Sequence, residues 1–303
     1  MKKVANLPKV SIVFSNFNGG KEPLECLTSI NKLNYPKNKI EIIVIDNGSK
    51  DKSPEKIAGR FPEVNLIKLK KDIGLPGSLN LGINKSTGKY IFIANDDIVL
   101  EKNSITNMVN FLEKNTNVGV LGGKVFYKNE PKKLSDSACD FNMYKGEIKE
   151  GLAKGNKIKW LQSCAIMVPR TIFNKIGLFD DGYYPLYFDD FDFCLRATKS
   201  NLKIIYLKDA IFWHGAGKTT RQFSNKKVYY WWYKNKIRFY IKHASLIQMF
   251  TAFALQFFAT ASKSVSTRQN IFPSLFMAYF VNITNLPVII SQKKKDEQSS
   301  QKL

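Results

Sequence analysis

Between Val10 and about Leu207, short β-branched runs alternate with amphipathic stretches, and this alternation restricts the fold more than any other feature of the chain. Val10–Phe14, Glu41–Ile45, Asn65–Leu69, Tyr90–Ala94 and Gly119–Phe126 read as strands, with later ones near Leu161–Val168 and Lys203–Tyr206. Helices are expected at Pro23–Leu33, Pro54–Arg60, Pro76–Ile83 and Ser104–Lys114. Three of them open on proline, which suits a first helical turn where no amide partner is lost. The pattern predicts an α/β domain built on a mixed, mainly parallel sheet flanked by helices.

In open sheets of this kind, ligands gather beyond the carboxyl ends of the strands. The residues there are polar and acidic: Ser15-Asn16-Phe17-Asn18 after the first strand, Asp46-Asn47-Gly48-Ser49 after the second, and Asn95-Asp96-Asp97 after the fourth. A single acid after a strand is ordinarily a helix cap. Three such sets converging on one sheet edge point to a binding site instead.

Composition adds a constraint of charge. The 303 residues hold 47 Lys and Arg against 25 Asp and Glu, a formal +22, so the surface seeks anions. Much of the excess lies late: from Gly215 onward there are fourteen Lys or Arg and only two acids, Asp296 and Glu297. Beyond His214 the sequence turns to aromatic and apolar stretches punctuated by lysine, two of them uncharged and near the length of a bilayer span but diluted by Ser, Thr, Gln, Asn and Pro. Helices lying in a membrane interface, on an anionic surface, are the expectation. The chain is therefore expected to divide into an α/β domain over residues 1–221, a helical membrane-associating segment over 222–291 and a disordered basic tail over 292–303. Four cysteines without C-x-x-C spacing read as reduced thiols. The opening MKKVANLPKVSIVF has too short an apolar run for a signal peptide. Together these place the protein in the cytoplasm, attached peripherally or monotopically to the inner face of the cell membrane.

Two acidic clusters carry the candidate chemistry. ANDDIVL sets adjacent carboxylates at a strand end, where a hard divalent cation such as Mg²⁺ or Mn²⁺ would relieve their repulsion. In YFDDFDFCLRA, Asp189, Asp192 and Arg196 fall on one helix face as a structural pairing, while Asp190 points elsewhere among aromatic rings. Desolvation there raises a carboxyl pKa toward the range of a general base. His214, at a strand end before Gly215-Ala216-Gly217, suits a metal or phosphate contact. His243 reads as interfacial with no chemical role. GAGKTT lacks P-loop spacing.

The ordered set VSIVFSNFNGG, EIIVIDNGSKDKS, DIGLPGSLNLGINKSTGKYIFIANDD, YFDDFDFCLRA and FWHGAGKTT resembles glycosyltransferase family 2, in its rhamnosyltransferase-like branch, which has the GT-A fold. The likeness runs from about Lys9 to Arg221 and continues more weakly into YYWWYKNKIRFYIKH. It implies that Ser15 and Phe17 hold the nucleotide base and that Asp46 meets base or ribose. Gly74, Gly77 and Asn80 would lie beside the nucleotide-sugar, with Asp96 in the middle of a D-x-D-like triplet. Asp97 and His214 would hold Mn²⁺ or Mg²⁺, and Asp190 would be the base. Three positions depart from the family pattern: Asn95 for the first Asp of the triplet, Asp189 for a Glu, and Ile73 for an Asn. The second leaves the choice of base between Asp189 and Asp190 open.

The implied activity is an inverting, metal-dependent hexosyl or deoxyhexosyl transfer from a UDP- or dTDP-linked sugar to a hydroxyl of a lipid-linked glycan acceptor, in cell-surface polysaccharide or glycan assembly. Acceptor choice would fall to the segment from Val125 to Trp160; oligomeric state is left open. A nucleic-acid binder is the rival that +22 and 13% aromatics suggest, but the late lysines are dispersed among apolar runs that favour lipid. A nucleotidyltransferase would need a glycine-rich segment ending in Arg-Lys near the N-terminus, which is absent. A silent membrane scaffold would show no cation-dependent nucleotide binding.

Overall fold

The computed structural model describes residues 7–135, 138–149, 158–215 and 218–301. Its first half follows the alternation: β1 (Val10–Asn16), α1 (Glu22–Ile30), β2 (Ile40–Asp46), α2 (Ser53–Arg60), β3 (Asn65–Lys68), α3 (Gly74–Lys85), β4 (Tyr90–Asn95), β5 (Ile98–Leu100) and α4 (Ser104–Lys114). Then come β6 (Val118–Tyr127), β7 (Glu130–Leu134), β8 (Ala138–Asn142), β9 (Glu147–Lys149), β10 (Trp160–Leu161), β11 (Ala165–Pro169), α5 (Arg170–Ile176), α6 (Asp189–Lys199) and β12 (Lys203–His214). Five helices close the chain: α7 (Lys218–Arg221), α8 (Asn225–His243), α9 (Leu246–Ser266), α10 (Phe272–Thr284) and α11 (Leu286–Gln301).

The main sheet runs β3-β2-β1-β4-β11-β6-β12-β5, with β7 on β6. The first four strands are parallel, whereas β11 runs antiparallel to both β4 and β6, so the sheet is mixed as expected. Alternate strand residues feed two apolar layers. Ile12, Phe14, Val44 and Phe92 face α1, α2 and α4; Val13, Ile43, Ile45 and Ile93 face α3 and α6.

Register fixes what meets at the carboxyl edge. Asn16 pairs with Asp46 and Ser15 with Asn95, while His214 at the end of β12 pairs with Ile98, one residue beyond Asp97. A small sheet, β10-β8-β9, covers the edge near α6.

The C-terminal third departs from the sequence reading. α8 is not a free basic helix: Phe239 and Tyr240 belong to the main core, and Lys236, Arg238 and Lys242 are buried. Asp180 pairs with Arg238 and Lys242, Asp192 pairs with Lys242, and Lys236 donates to the Gly146 carbonyl and to Gln256 Oε1, which is why so polar a helix can sit inside. The expected tail is helical as far as Gln301, because Asp296 reaches Lys242 at 2.8 Å and ties α11 down; Lys302 and Leu303 lie outside the described residues. Trp232 and the α8 aromatics pack inward, while α9 and α10 keep Leu246, Ile247, Phe250, Phe258, Phe276, Phe280 and Ile283 exposed.

Candidate active site

At the ends of β1 and β2, one buried amide organises the edge. Asn16 Nδ2 donates to Asp46 Oδ1 at 2.8 Å, to Ser53 Oγ at 2.9 Å and to Ser49 Oγ at 3.1 Å. Asp46 is thereby turned inward beneath the site, and Asn47 beside it, equally buried, lines the cavity. Asn47 Nδ2 donates to Asp72 Oδ1 at 2.6 Å while its own oxygen accepts from the Ile73 amide at 2.9 Å. Asp72 Oδ1 also accepts from the amide of Gly74. Gly74 has a φ of +78°, and a Cβ there would lie 2.8 Å from the Tyr184 ring, so α3 can start in this place only on glycine.

A second corner forms where β4 and β12 end. His214 Nε2 stands 3.1 Å from Asp97 Oδ1 and 3.0 Å from Asn95 Nδ2. Burial pushes the Asp97 carboxyl pKa up, but the His214 hydrogen bond and charge outweigh it and leave the pKa lowered. One imidazole nitrogen cannot both accept from the Asn95 amide and donate to the carboxylate. Buried Asp97 Oδ1 accordingly has no well-formed hydrogen bond. An oxygen and a nitrogen facing each other in this way fit a divalent cation. Among the described residues no three Asp, Glu, His or Cys side chains converge, so a cation here would take only two protein ligands. Diphosphate oxygens and water complete such a shell in magnesium sites.

The third element is the start of α6. Tyr187 and Phe188 both adopt left-handed backbone, φ +80° and +69°, a costly conformation for aromatic residues that aims the next two side chains. Asp190 accepts from the Phe191 amide at 2.8 Å and the Ser163 amide at 3.1 Å. Burial nevertheless raises its pKa to about 6, against those hydrogen bonds. Asp189 is more deeply buried, and burial together with the charge of Asp190 raises its pKa well above the carboxylate range. Asp190 is therefore the member of the pair able to exchange a proton near neutrality. Asp192 does not join them. It pairs with Arg196 at 2.7 Å, as expected of the helix face, and also with Lys242 and His243. His243 is thus buried in an ion cluster rather than interfacial.

These three corners surround two adjoining cavities. One, of about 270 Å³, is lined by Ser15, Phe17, Asn47, Asp72, Asp96, Asp97 and Trp231, among others. The other, of about 290 Å³, holds Asp189, Asp190, Trp160 and Trp232. His214, Asn95, Leu75, Leu186 and Tyr187 border both. Of the expected nucleotide-sugar contacts, Ser15, Phe17 and Asp96 line the first cavity, and Gly74 stands at its rim through Asp72. Asp46, Gly77 and Asn80 do not line either cavity. Gly77 packs on Ile73. Asn80 donates to the Phe179 carbonyl at 2.8 Å and accepts from the Phe179 amide at 3.0 Å, which occupies both ends of its side chain. Asn47 comes from the polar set after β2 and Trp160 from the end of the expected acceptor segment, whereas Asp72, Tyr187, Phe223, Trp231 and Trp232 were not anticipated. Phe17 stacks on Phe223 at 6.3 Å, a pairing across some 200 residues that no local pattern announces. Ala216 and Gly217, and parts of the Val125–Trp160 segment, lie outside the described residues.

A curled mixed sheet with acids and a histidine at its carboxyl edge is the architecture of GT-A glycosyltransferases, and solved structures agree. The chain matches the mannosyltransferase PcManGT from Pyrobaculum calidifontis, in complex with GDP-Man and Mn²⁺, with a TM-score of 0.59 at 15% identity, over 98% of this chain and 87% of that one. It matches S. aureus TarS 1–349 in complex with UDP-GlcNAc with a TM-score of 0.60 at 16% identity, over 96% and 89%. In sequence, residues 11–177, just over half of the chain, match the family described as Glycosyl transferase family 2, and the protein belongs to that family. Similar relatives include an uncharacterized glycosyltransferase of Rickettsia typhi, 29% identical over 66% of this chain and 61% of its own length. The glycosyltransferase AglE of Haloferax volcanii is 27% identical over 70% and 68%. The chain thus spans under two thirds of the length of the rickettsial relative.

Proposed function

We propose that the protein transfers a sugar from a nucleoside-diphosphate sugar to an acceptor hydroxyl by single displacement with inversion. The observation that carries this reading is the pair of adjoining cavities, with Asp97 and His214 at one and Asp190 at the other. Ser15, Phe17 and Asn47, which line the first cavity, would meet the nucleoside. Asp97 and His214 would hold the cation, Mn²⁺ or Mg²⁺, whose chemistry when bound is to neutralise charge on the departing diphosphate. Asp190 takes the proton from the acceptor hydroxyl as that oxygen bonds the anomeric carbon; the bond from that carbon to the diphosphate oxygen breaks, and its electron pair leaves with the nucleoside diphosphate. No covalent enzyme intermediate is required, and one displacement inverts the centre. Neighbouring structures bound to GDP-Man and to UDP-GlcNAc support a nucleotide-sugar donor without choosing the base. The test is a thermal-shift panel of UDP, dTDP and GDP and their sugars with and without Mn²⁺. Stabilisation by at least one of them, enhanced by the cation, is expected; no response to any would refute the reading.

The exposed apolar face of α9 and α10 supports attachment to an anionic membrane, where a lipid-linked glycan would be presented. Among the described residues no single helix is long and apolar enough to cross a membrane; α10 and α11, bent by 67°, pass that test only as a pair. Interfacial docking of α9 and α10 is thus the form proposed, on the cytoplasmic face. Co-sedimentation with phosphatidylglycerol vesicles, weakened by Phe250→Ser with Phe258→Ser, is the expected result. Wild-type protein that stays in the supernatant would contradict it.

A further inference from the structure

We propose that the cavity at Asp190 is a carbohydrate subsite that receives the acceptor as a pyranose ring, with Trp232 of α8 as its platform. The inference rests on the sugar-transfer reading above and specifies the class of acceptor.

The walls are aromatic and fixed. Trp160 meets Phe191 edge to face at 5.1 Å, and Trp232 is held by Phe188 at 5.0 Å and Tyr187 at 5.3 Å. Trp160, Phe188 and Phe191 are buried, whereas Tyr187 and Trp232 are half-buried and leave ring surface in the cavity. Successive residues of a helix point about 100° apart. Trp231 accordingly lines the donor-side cavity and Trp232 the Asp190-side cavity, so one turn of α8 serves both.

Polar groups gather among these rings. Trp160 is 8% exposed; its indole N–H is near enough to Asp190 to favour the charged carboxylate, yet it makes no hydrogen bond of good geometry. Asp189, 2% exposed, has an Oδ2 without a hydrogen-bond partner. Gln162 lines the same space. Buried polar atoms left in this state cost free energy that a ligand can return. A hydroxyl both accepts and donates, so it can take the Trp160 N–H and give its own proton to a carboxylate.

A pyranose joins these two requirements in one molecule: a face of C–H groups for the rings and a rim of hydroxyls for Trp160, Gln162 and the acids. A linear lipid alcohol offers a single hydroxyl, too few for the polar end. A peptide serine brings backbone amides that aromatic walls leave unpaired. A cavity of about 290 Å³ is at the small end for ligand sites, the scale of a sugar unit rather than an extended chain.

The test uses the full chain, a nucleotide-sugar that it hydrolyses, and three kinds of acceptor: a panel of methyl and octyl pyranosides, 1-octanol, and N-acetylserine amide. Transfer to at least one pyranoside and to neither of the others is expected. Trp232→Ala should raise the KM for that pyranoside about tenfold, by more than it raises the KM for the donor, while Trp232→Phe keeps most of the affinity. Saturation-transfer NMR on wild-type protein should mark the C–H protons of one sugar face. Should Trp232→Ala fail to fold, Trp160→Phe, which removes the indole N–H and keeps a ring, should raise the same KM. Transfer to octanol or the serine amide with the pyranosides inert, or an unchanged acceptor KM in the variants, overturns the proposal. Donor hydrolysis with every pyranoside inert removes this inference alone; a wild-type protein that cleaves no nucleotide-sugar removes the reading beneath it.

Discussion

Lys242 lies at the centre of the join between the α/β domain and the C-terminal helices, and replacing it by methionine is a direct probe of that join. Its side chain is fully buried, and Nζ stands 2.6 Å from Asp192, 2.8 Å from Asp180 and 2.8 Å from Asp296. The three carboxylates belong to α6, the segment before it and α11. Arg238 and Arg196 supply the balancing charge, on Asp180 and Asp192 respectively. Lys242→Met keeps the apolar stem and removes the ammonium, leaving two buried acids and the partly buried Asp296 to two guanidinium groups and His243. Removing one partner of a buried ion pair costs about 3–5 kcal/mol. For a chain of this size that corresponds to a fall in Tm of about 6–15 °C. Attraction to the three acids outweighs burial and raises the Lys242 pKa. Lys242 and Arg196 hold Asp192 well below the carboxylate range in spite of its burial. The stability from Asp192 is therefore present above its unfolded value of about 3.9 and lost as pH falls through the depressed folded one. That from Lys242 is fully present below its unfolded value of about 10.4 and lost as pH rises through the raised folded one. The gap between wild type and variant should be widest from about pH 5 to pH 10, narrowing below as Asp192 protonates and above as Lys242 loses its proton. Thermal unfolding from about pH 3 to pH 11, followed by circular dichroism, measures it. A Tm change under about 2 °C, or a gap independent of pH, would refute the picture of Lys242 as a buried counter-ion.

Other outcomes follow from the site. The base must be ionised, so kcat/KM should fall as pH drops below about 6, the value to which burial raises Asp190; a flat profile down to pH 5 would detach Asp190 from proton transfer. Asp97→Asn should abolish the Mn²⁺-dependent part of nucleotide stabilisation in the thermal-shift assay, since it removes the carboxylate that stands 3.1 Å from His214 Nε2; an unchanged cation response would place the cation elsewhere. Asn80→Ala should destabilise by roughly 1–3 kcal/mol through the unpaired Phe179 backbone, with donor affinity little altered. A large loss of donor affinity without loss of stability would return Asn80 to the binding site.

The legible part of the fold was the part written in local periodicity. β1, β2 and β4 are short apolar runs rich in Val and Ile, and the polar residues at their ends reach the carboxyl edge because parallel register aligns Asn16 with Asp46 and Ser15 with Asn95. Asp97, His214 and Asp190 stand out by residue type at strand or helix ends, and the structure gathers them. What was not legible is which way an amide or acid turns. Asn80 and Asn47 are equally polar in sequence, but one closes on the Phe179 backbone and the other lines the cavity. Asp46 is drawn inward by Asn16, a partner thirty positions away. The lysines of α8 misled for a similar reason. Their count reads as surface charge, and only the three-dimensional arrival of Asp180, Asp192 and Asp296 makes burial of Lys242 affordable. β5 and β9, three residues each, are too short to register as strands, and the aromatic pairings of Phe17 with Phe223 and Trp232 with Phe188 are purely tertiary.

The central claim is that Asp190 takes the acceptor proton in a site whose donor half is assembled independently of it. The most direct measurement is turnover of Asp190→Asn beside its binding of the same nucleotide-sugar by calorimetry, with Mn²⁺ present throughout. Loss of a positioned general base should slow transfer by about 10²–10⁴-fold while the donor Kd stays within a small factor of wild type. Transfer at the wild-type rate, with binding intact, would contradict the account.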